Sequence, residues 1–208
     1  GDTVQLVASG ANTYQWSPID SLSSPVISNP LAWPTSSTTY LVSGTDLNNC
    51  FTTDSVELIV NSIPAVDAGL PAAICIGDSI LLQGSGASSY LWSPAGSLND
   101  ATINNPMASP LITTTYFLTG SDLNSCINTD SVLITVNPLP IASVSNDTSL
   151  CIGDSVLLLA AGADTYDWSP TDSISNPLIS NPLVWPTSTT TYQVIASYLT
   201  GCIDTAQV

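Results

Sequence analysis

Apolar and polar residues alternate along this chain in short runs, and the alternation returns at a fixed interval. After the sequence GDS at residues 77–79, Ile80 and Leu82 are separated by a single position, and the same period follows GDT at residues 1–3 and GDS at residues 153–155. A period of two is typical of a strand with one buried face. No stretch shows the period of an amphipathic helix. The pattern therefore predicts an all-β protein.

The interval between copies is 76 residues, and it holds without insertion along the chain. It is kept by Trp16, Trp92 and Trp168, by Tyr40, Tyr116 and Tyr192, and by Cys50, Cys126 and Cys202. Such self-similarity indicates tandem domains. The Pro-containing sequences NSIP and NPLP predict boundaries that give repeats at residues 1–62, 63–138 and 139–208. We expect the first repeat to lack its opening strand and the third to lack the end of its last strand.

Each repeat contains six or seven predicted short strands. The sequences TYQW, SYLW and TYDW place Tyr and Trp two positions apart, on one face of a strand, and a Ser-Pro pair ends each of them. A later alternating strand, TTYLVSG in the first repeat, leads through an Asp-x-Asn turn to the last strand. This number and spacing of strands predict an immunoglobulin-like β-sandwich. Short linkers that contain Pro favour an array of these domains in the form of a rod.

The charge composition excludes several classes of function. The chain has no Lys, Arg or His, and 16 acidic residues give it a formal net charge of −16. Nucleic-acid binding requires cations that neutralise phosphates, so that class is excluded. No apolar run is long enough to predict membrane insertion. The usual Lys and His catalytic groups are absent, and Asp residues at turns with a single Glu57 do not indicate paired glycosidase carboxylates. We expect a protein that is not an enzyme and has no cofactor.

The cysteines fall at two positions of the repeat. Cys75 and Cys126 are 51 residues apart, as are Cys151 and Cys202. We therefore expect two disulfides, Cys75–Cys126 and Cys151–Cys202, and we expect Cys50 to be unpaired within this chain. Free buried thiols and a zinc site are the alternatives, but the chain has no His and no CxxC sequence, which favours disulfides. Disulfides in turn indicate an oxidising location, at the cell surface or outside the cell.

The combined sequence pattern resembles a known class of repeats. It consists of C-x-G-D-S-x-x-L, Y-x-W-S-P, N-P, T-T-T-Y-x-V-x-G-x-D and a closing Cys, and it covers the whole chain. This pattern is similar to the Ig-like or PKD-like repeats of Bacteroidota surface proteins. Those repeats occur in very long acidic proteins that are exported by the type IX system and linked to gliding motility or adhesion. The resemblance implies a stalk or an adhesin. The third repeat departs from it, with Tyr198 where Asp46 and Asp122 stand.

Three groups of residues are candidate sites. Trp33 and Trp185 are replaced by Ser109 in the middle repeat, so we expect them at the surface, with contact to a glycan or a protein partner as the functional alternative. The turn residues Asp46, Asn48, Asp122 and Asn124 alternate oxygen ligands as a calcium loop does, and an Asx turn is the simpler alternative. The tryptophans Trp16, Trp92 and Trp168 could stack on sugars, but their phase favours core packing.

The resemblance also implies O-glycosylation. Bacteroidota modify secreted proteins at Asp, then Ser or Thr, then a residue such as Ala, Ile, Leu, Met, Thr or Val. The matching positions are Thr3, Ser21, Ser55, Ser79, Ser131, Ser155, Ser173 and Thr205. The beginning of a strand explains most of them structurally, but it explains Ser21 and Ser173 less well.

The function that these observations predict is a structural stalk segment of an extracellular fibre or giant surface adhesin. Its partners would be neighbouring repeats of the same long chain and other copies in a fibre. The alternative is a module that binds carbohydrate or a partner protein through the NP-rich loops or Trp33 and Trp185.

Overall fold

A computed structural model of the chain describes residues 2–208, and every helix or strand element in that range is a β-strand. The all-β prediction is therefore confirmed. The strands of the first repeat are β1 (Val4–Gln5), β2 (Thr13–Ser17), β3 (Leu31–Ala32), β4 (Thr38–Thr45) and β5 (Phe51–Leu58). Those of the second are β6 (Ala72–Cys75), β7 (Ile80–Leu81), β8 (Ser89–Ser93), β9 (Met107–Ala108), β10 (Thr114–Ser121) and β11 (Ile127–Asn137). Those of the third are β12 (Ser143–Val144), β13 (Val156–Leu157), β14 (Ala160–Ala161), β15 (Thr165–Ser169), β16 (Leu183–Val184), β17 (Gln193–Ser197) and β18 (Ile203–Gln207).

The second repeat has the strand order of an immunoglobulin-like sandwich. One sheet has the order β6-β11-β10-β8, and β7 pairs with β9 in a second, smaller sheet. All of these pairs are antiparallel except β6 with β11, which run parallel. Side chains from both sheets, among them Leu82 and Ala108 from one side and Trp92 and Tyr116 from the other, form one apolar cluster. Two sheets that enclose a common core constitute a β-sandwich.

Each predicted repeat has its own hydrophobic core. Three separate clusters of buried residues lie within residues 6–58, 66–134 and 144–208. Trp16, Trp92 and Trp168 are at most 2% exposed, so the prediction that they pack in the core is confirmed. Their indole Nε1 atoms donate hydrogen bonds of 2.9, 3.1 and 3.0 Å to backbone carbonyls 11 residues further along the chain. A buried indole needs such an acceptor, because an unpaired N–H in an apolar core is unfavourable.

The Ser-Pro pairs end the tryptophan strands as the sequence predicts. Strands β2, β8 and β15 end at Ser17, Ser93 and Ser169, and each of these serines precedes a cis proline. Pro has no backbone N–H with which to extend the ladder to the neighbouring strand. The chain leaves the sheet at this point and enters the long connection that carries the NP sequence.

The chain divides into two compact units. Unit 1 comprises residues 1–64 and 122–126, and unit 2 comprises residues 65–121 and 127–208. Unit 1 contains the core of the first repeat, and unit 2 contains the cores of both the second and the third. Within unit 2, two adjacent sandwiches therefore belong to the same compact body.

Candidate functional site

One disulfide joins the second repeat to the third within unit 2. Cys75, the last residue of β6, is bonded to Cys202, which directly precedes β18, and the two Cα atoms are 5.6 Å apart. Cys202 is fully buried, and its Sγ lies 4.0 Å from the carbonyl oxygen of Asn137 at the end of β11. The bond therefore crosses the junction between two consecutive repeats.

The predicted disulfides Cys75–Cys126 and Cys151–Cys202 are wrong, and the strand register explains why. Strand β6 runs parallel to β11, and Cys75 is paired with Asn137 at the far end of that strand. Cys126 directly precedes the first residue of β11, so about 10 residues at about 3.3 Å each, or roughly 30 Å, separate it from Cys75 along the sheet. A disulfide requires Cα atoms within about 7 Å of each other. The two cysteines of one repeat thus lie at opposite ends of the same sandwich.

The remaining cysteines carry free thiols in this structure. Cys50 and Cys151 are exposed and Cys126 is half-buried. Cys151 corresponds to Cys75 by the 76-residue offset, and Cys50 and Cys126 correspond to Cys202. The thiols that remain free therefore occupy the same two positions of the repeat as the bonded pair.

Two carboxylates hold the first segment of each repeat in unit 2. Asp130 on β11 accepts a hydrogen bond of 2.8 Å from the Ala68 amide, and Asp204 on β18 accepts one of 3.0 Å from the Ala142 amide. Donor and acceptor are 62 residues apart in both cases. The sequence analysis missed these roles. The signal was present, since Asp is uncommon inside strands and needs a reason to be there.

The hydrogen bonds to Asp130 change its acidity. The amides of Ala68 and Ser131 stabilise the charged carboxylate, so the pKa of Asp130 lies below its ordinary value of 3.8. A pKa lowered by folding means that this carboxylate contributes stability above pH 3.8, and that the contribution is lost as the pH falls through the lower pKa of the folded state.

Replacing Asp130 with Asn is therefore expected to lower the thermal midpoint of unit 2 at pH 6, and the difference from the unmodified chain should shrink below pH 3.8. Thermal unfolding followed by circular dichroism between pH 2 and pH 7 measures this. Asp167→Asn, at an exposed position of β15, is the control for removal of one negative charge. A difference for Asp130→Asn that persists unchanged at pH 2 would contradict this role of the carboxylate.

The calcium-candidate turns have the geometry of Asx turns. Asp46 Oδ1 accepts hydrogen bonds of 2.8 and 2.9 Å from the amides of Asn48 and Cys50. Asp122 Oδ1 accepts two of 2.9 Å from the amides of Asn124 and Cys126. Among residues 2–208, no group of three His, Cys, Asp or Glu side chains is placed to hold a metal ion. The Asp side chains stabilise the turns by binding backbone amides.

The third repeat keeps the turn although it lacks the Asp. Tyr198 occupies that position, and its backbone amide donates a bond of 2.9 Å to the Cys202 carbonyl, as the amides of Asp46 and Asp122 do to Cys50 and Cys126. The carboxylate comes from another loop, where Asp164 Oδ2 accepts a bond of 2.9 Å from the Leu199 amide. The sequence departure is thus compensated by a residue elsewhere in the same repeat.

The two variable tryptophans lie at the surface, as predicted. Trp33 and Trp185 are each 43% exposed, and their backbone amides donate to the carbonyls of Ser21 and Ser173. In the middle repeat, Ser109 takes this position, and its hydroxyl lies 2.7 Å from that of Ser79. An indole with an exposed face next to proline is suited to stacking on a flat ligand.

The glycosylation candidates differ in exposure. The exposed ones are Thr3, Ser55, Ser79, Ser131, Ser155 and Thr205, whereas Ser21 and Ser173 are half-buried. Ser21 and Ser173 both have a φ of 59°, a left-handed conformation that is uncommon for serine. The six candidates at exposed positions are therefore more accessible to a modifying enzyme than the two in the long connections.

A buried tyrosine supports the bends at Ser21 and Ser173. The hydroxyl of Tyr40 donates to the Asp20 carbonyl at 3.3 Å, and that of Tyr192 donates to the carbonyl of Asp172 at 3.4 Å. Burial, followed by the nearby carboxylates of Asp20 and Asp172, raises the pKa of both tyrosines above 10.0. These side chains therefore remain neutral donors at physiological pH.

Comparison with known proteins gives similarity of fold only. No family model matches the sequence, and no curated protein matches it. The N-terminal eight Ig domains of Down syndrome cell adhesion molecule match 100% of this chain and 39% of their own, at 12% identity and a TM-score of 0.49. Ig domains 1–5 of Sidekick-1 match 100% and 56%, at 11% identity and a TM-score of 0.37. Extracellular cadherin domains 1–4 of protocadherin gamma B7 match 95% and 66%, at 12% identity and a TM-score of 0.34.

This chain thus spans well under half the length of the first of these structures. The assignment to immunoglobulin-like sandwiches rests on the strand order and the core described above. In the part of the chain that the structure describes, no helix is long and apolar enough to cross a bilayer.

Proposed function

We propose that this chain is a non-catalytic stalk segment of an extracellular fibre or giant surface adhesin, built as a rod from consecutive immunoglobulin-like repeats. The observation that carries the proposal is the Cys75–Cys202 disulfide, which ties one repeat covalently to the next. A disulfide inside a single domain would stabilise that domain alone. A disulfide between domains also resists their separation when the chain is pulled.

The energetics of the repeats support the same role. A 76-residue domain buries a modest share of its surface and has limited stability on its own. Each repeat nevertheless has a separate core, so length can increase with copy number while every unit keeps its own packing. The inter-repeat bond adds stability that neither core supplies.

The surface chemistry is consistent with a location outside the cell. Disulfides persist in oxidising compartments. The absence of Lys and Arg removes every trypsin-type cleavage site, and charge of one sign opposes lateral sticking of neighbouring chains. The resemblance to Bacteroidota repeats supports export by the type IX system and O-glycosylation at the exposed Asp-Ser and Asp-Thr positions.

Pulling single oxidised molecules by their two ends tests the stalk proposal. The Cys75–Cys202 bond should hide a loop of 127 residues, or about 460 Å of chain at about 3.6 Å per residue, from the final extension. Reduction by a thiol reagent should release that length in the same molecule. Oxidised chains that extend as far as reduced ones would contradict a stalk held by this bond.

A binding module is the second candidate, and the exposed indoles of Trp33 and Trp185 favour it. Both indoles keep an accessible face, and the middle repeat supplies a natural replacement at the same position, Ser109. Carbohydrate binding that disappears in Trp33→Ser and Trp185→Ser, with the fold unchanged, would favour this function over the stalk.

A further inference from the structure

Unit 1 has an open groove at a place that the other repeats fill with a strand segment. The groove has a volume of about 410 Å³, and Gly10, Val42, Asp54 and Val56 are among the residues that line it. By the 76-residue offset, Val56 corresponds to Val132 in unit 2. Val56 is 38% exposed, whereas Val132 is 2% exposed. The same apolar position is therefore covered in the second repeat and open in the first.

The second repeat shows what covers this position. Residues 65–68 lie in the corresponding groove as an extended segment. The Ala68 amide donates to Asp130, and Asp67 pairs with Ser85 through hydrogen bonds of 2.9 and 3.1 Å. Ala68 is 1% exposed and belongs to the core. Small apolar side chains thus point inward while the backbone is held by hydrogen bonds.

A glycine makes room for the segment. A Cβ atom at Gly86 would lie 1.8 Å from the carbonyl oxygen of Ala65, so the backbone of the segment passes directly over this residue. In the third repeat, a Cβ at Gly162 would lie 1.9 Å from the carbonyl oxygen of Ile141. The equivalent residue of unit 1 is Gly10, and a Cβ built there meets nothing within 4 Å.

The polar anchor is also present in unit 1. Asp54 corresponds to Asp130, and its Oδ1 accepts a bond of 2.8 Å from the Ser55 amide, as the carboxylate of Asp130 does from the Ser131 amide. The groove therefore combines the glycine floor, the apolar wall and the carboxylate that a strand segment uses in unit 2.

We propose that the groove of unit 1 binds, in trans, an extended peptide with the chemistry of residues 65–68, Ala-Val-Asp-Ala, by adding it as a strand. This inference goes beyond the stalk proposal, since it assigns a strand-accepting site to one repeat. Specificity comes from small apolar side chains at alternate positions, and affinity comes from main-chain hydrogen bonds. The absence of cations in the groove fits a neutral or weakly acidic peptide.

A fluorescently labelled peptide with the sequence of residues 62–70, SIPAVDAGL, is the probe for this site. Its anisotropy should rise saturably when the intact chain is added. Val56→Asp, which places a charge in the groove, should raise the dissociation constant by about tenfold or more, because burying an unpaired charge is unfavourable. Leu41→Asp is the matched control, since Leu41 is 47% exposed on β4 and lies outside the groove residues.

Two further arms keep the test decisive. A peptide with Asp in place of Val66 should lose binding to the unmodified chain, a result that does not depend on the folding of any protein variant. Circular dichroism should show the same β spectrum for both protein variants. Absence of binding, or equal binding by Val56→Asp and the unmodified chain, would overturn the proposal. Dimerisation of the chain that Val56→Asp abolishes, without peptide binding, would overturn it in favour of a second copy as the occupant.

Discussion

Replacing Cys75 with Ser is expected to lower the free energy of unfolding of unit 2 by about 4–5 kcal/mol. The Cys75–Cys202 bond closes a loop with a sequence separation of 127 residues, and the chain-entropy model gives stabilisation of that size for loops of 100 residues or more. The closed loop contains most of both repeats of unit 2, so the bond restricts the unfolded state of both. Urea denaturation of the oxidised proteins, followed by circular dichroism, measures the difference.

Cys151→Ser is the matched control for this prediction. Cys151 occupies the same position of the third repeat as Cys75 does of the second, but its thiol is free and exposed. Its replacement should change the free energy of unfolding by no more than about 0.5 kcal/mol, as is usual for surface substitutions. Equal losses from the two substitutions would show that the bond between Cys75 and Cys202 is not the source of the stability.

Replacing Trp168 with Ala is expected to destabilise unit 2 by about 3–5 kcal/mol, the usual range for truncation of a large buried aromatic residue. Trp168 is fully buried in the core of the third repeat, and its Nε1 donates a bond of 3.0 Å to the Ile179 carbonyl. The substitution leaves a cavity and also leaves that carbonyl without its donor. Urea denaturation should show a lower midpoint for this variant.

The other tryptophan of the third repeat provides the comparison. Trp185 is 43% exposed, so Trp185→Ala removes the same side chain from the surface. The free energy of unfolding should then change by about 0.5 kcal/mol or less. A loss for Trp185→Ala that approached the loss for Trp168→Ala would place Trp185 in the core and remove it from consideration as a contact residue.

Periodicity in the sequence was sufficient to predict the fold class and the core. Val132 and Ile134 alternate with polar neighbours, and both are at most 2% exposed on β11. The tryptophans that recur at one phase are buried, and the two that do not recur in every repeat are exposed. These outcomes follow because alternation decides which face of a strand is buried, and a side chain present in every copy is usually one that the core requires.

Spacing was not sufficient to predict the disulfide. Equal separations of 51 residues suggested a bond within each repeat, but spacing says nothing about the direction in which two strands pair. The parallel pairing of β6 with β11 places Cys75 beside Asn137, away from Cys126. Cys202 of the next repeat reaches this end of the sandwich because the chain crosses there from one repeat to the other.

The strand-accepting groove was equally beyond a reading of sequence alone. Gly10, Gly86 and Gly162 are equivalent in the sequence, and only the three-dimensional arrangement shows that a backbone passes over the second and the third. Likewise, the substitution of Tyr198 for Asp is explained only when Asp164 is seen to bind the Leu199 amide. Both features depend on contacts between residues far apart in the chain.

The covalent link between consecutive repeats is the central claim, and peptide mapping without reduction tests it most directly. Because the chain has no Lys or Arg, a protease that cleaves before Asp is the suitable reagent, and it places each of the five cysteines in a different peptide. Free thiols should be blocked before digestion. The structure predicts that the peptide of residues 67–77 is linked to that of residues 172–203, and that reduction separates them. A link between residues 67–77 and residues 122–129 would contradict the claim and restore a bond within each repeat.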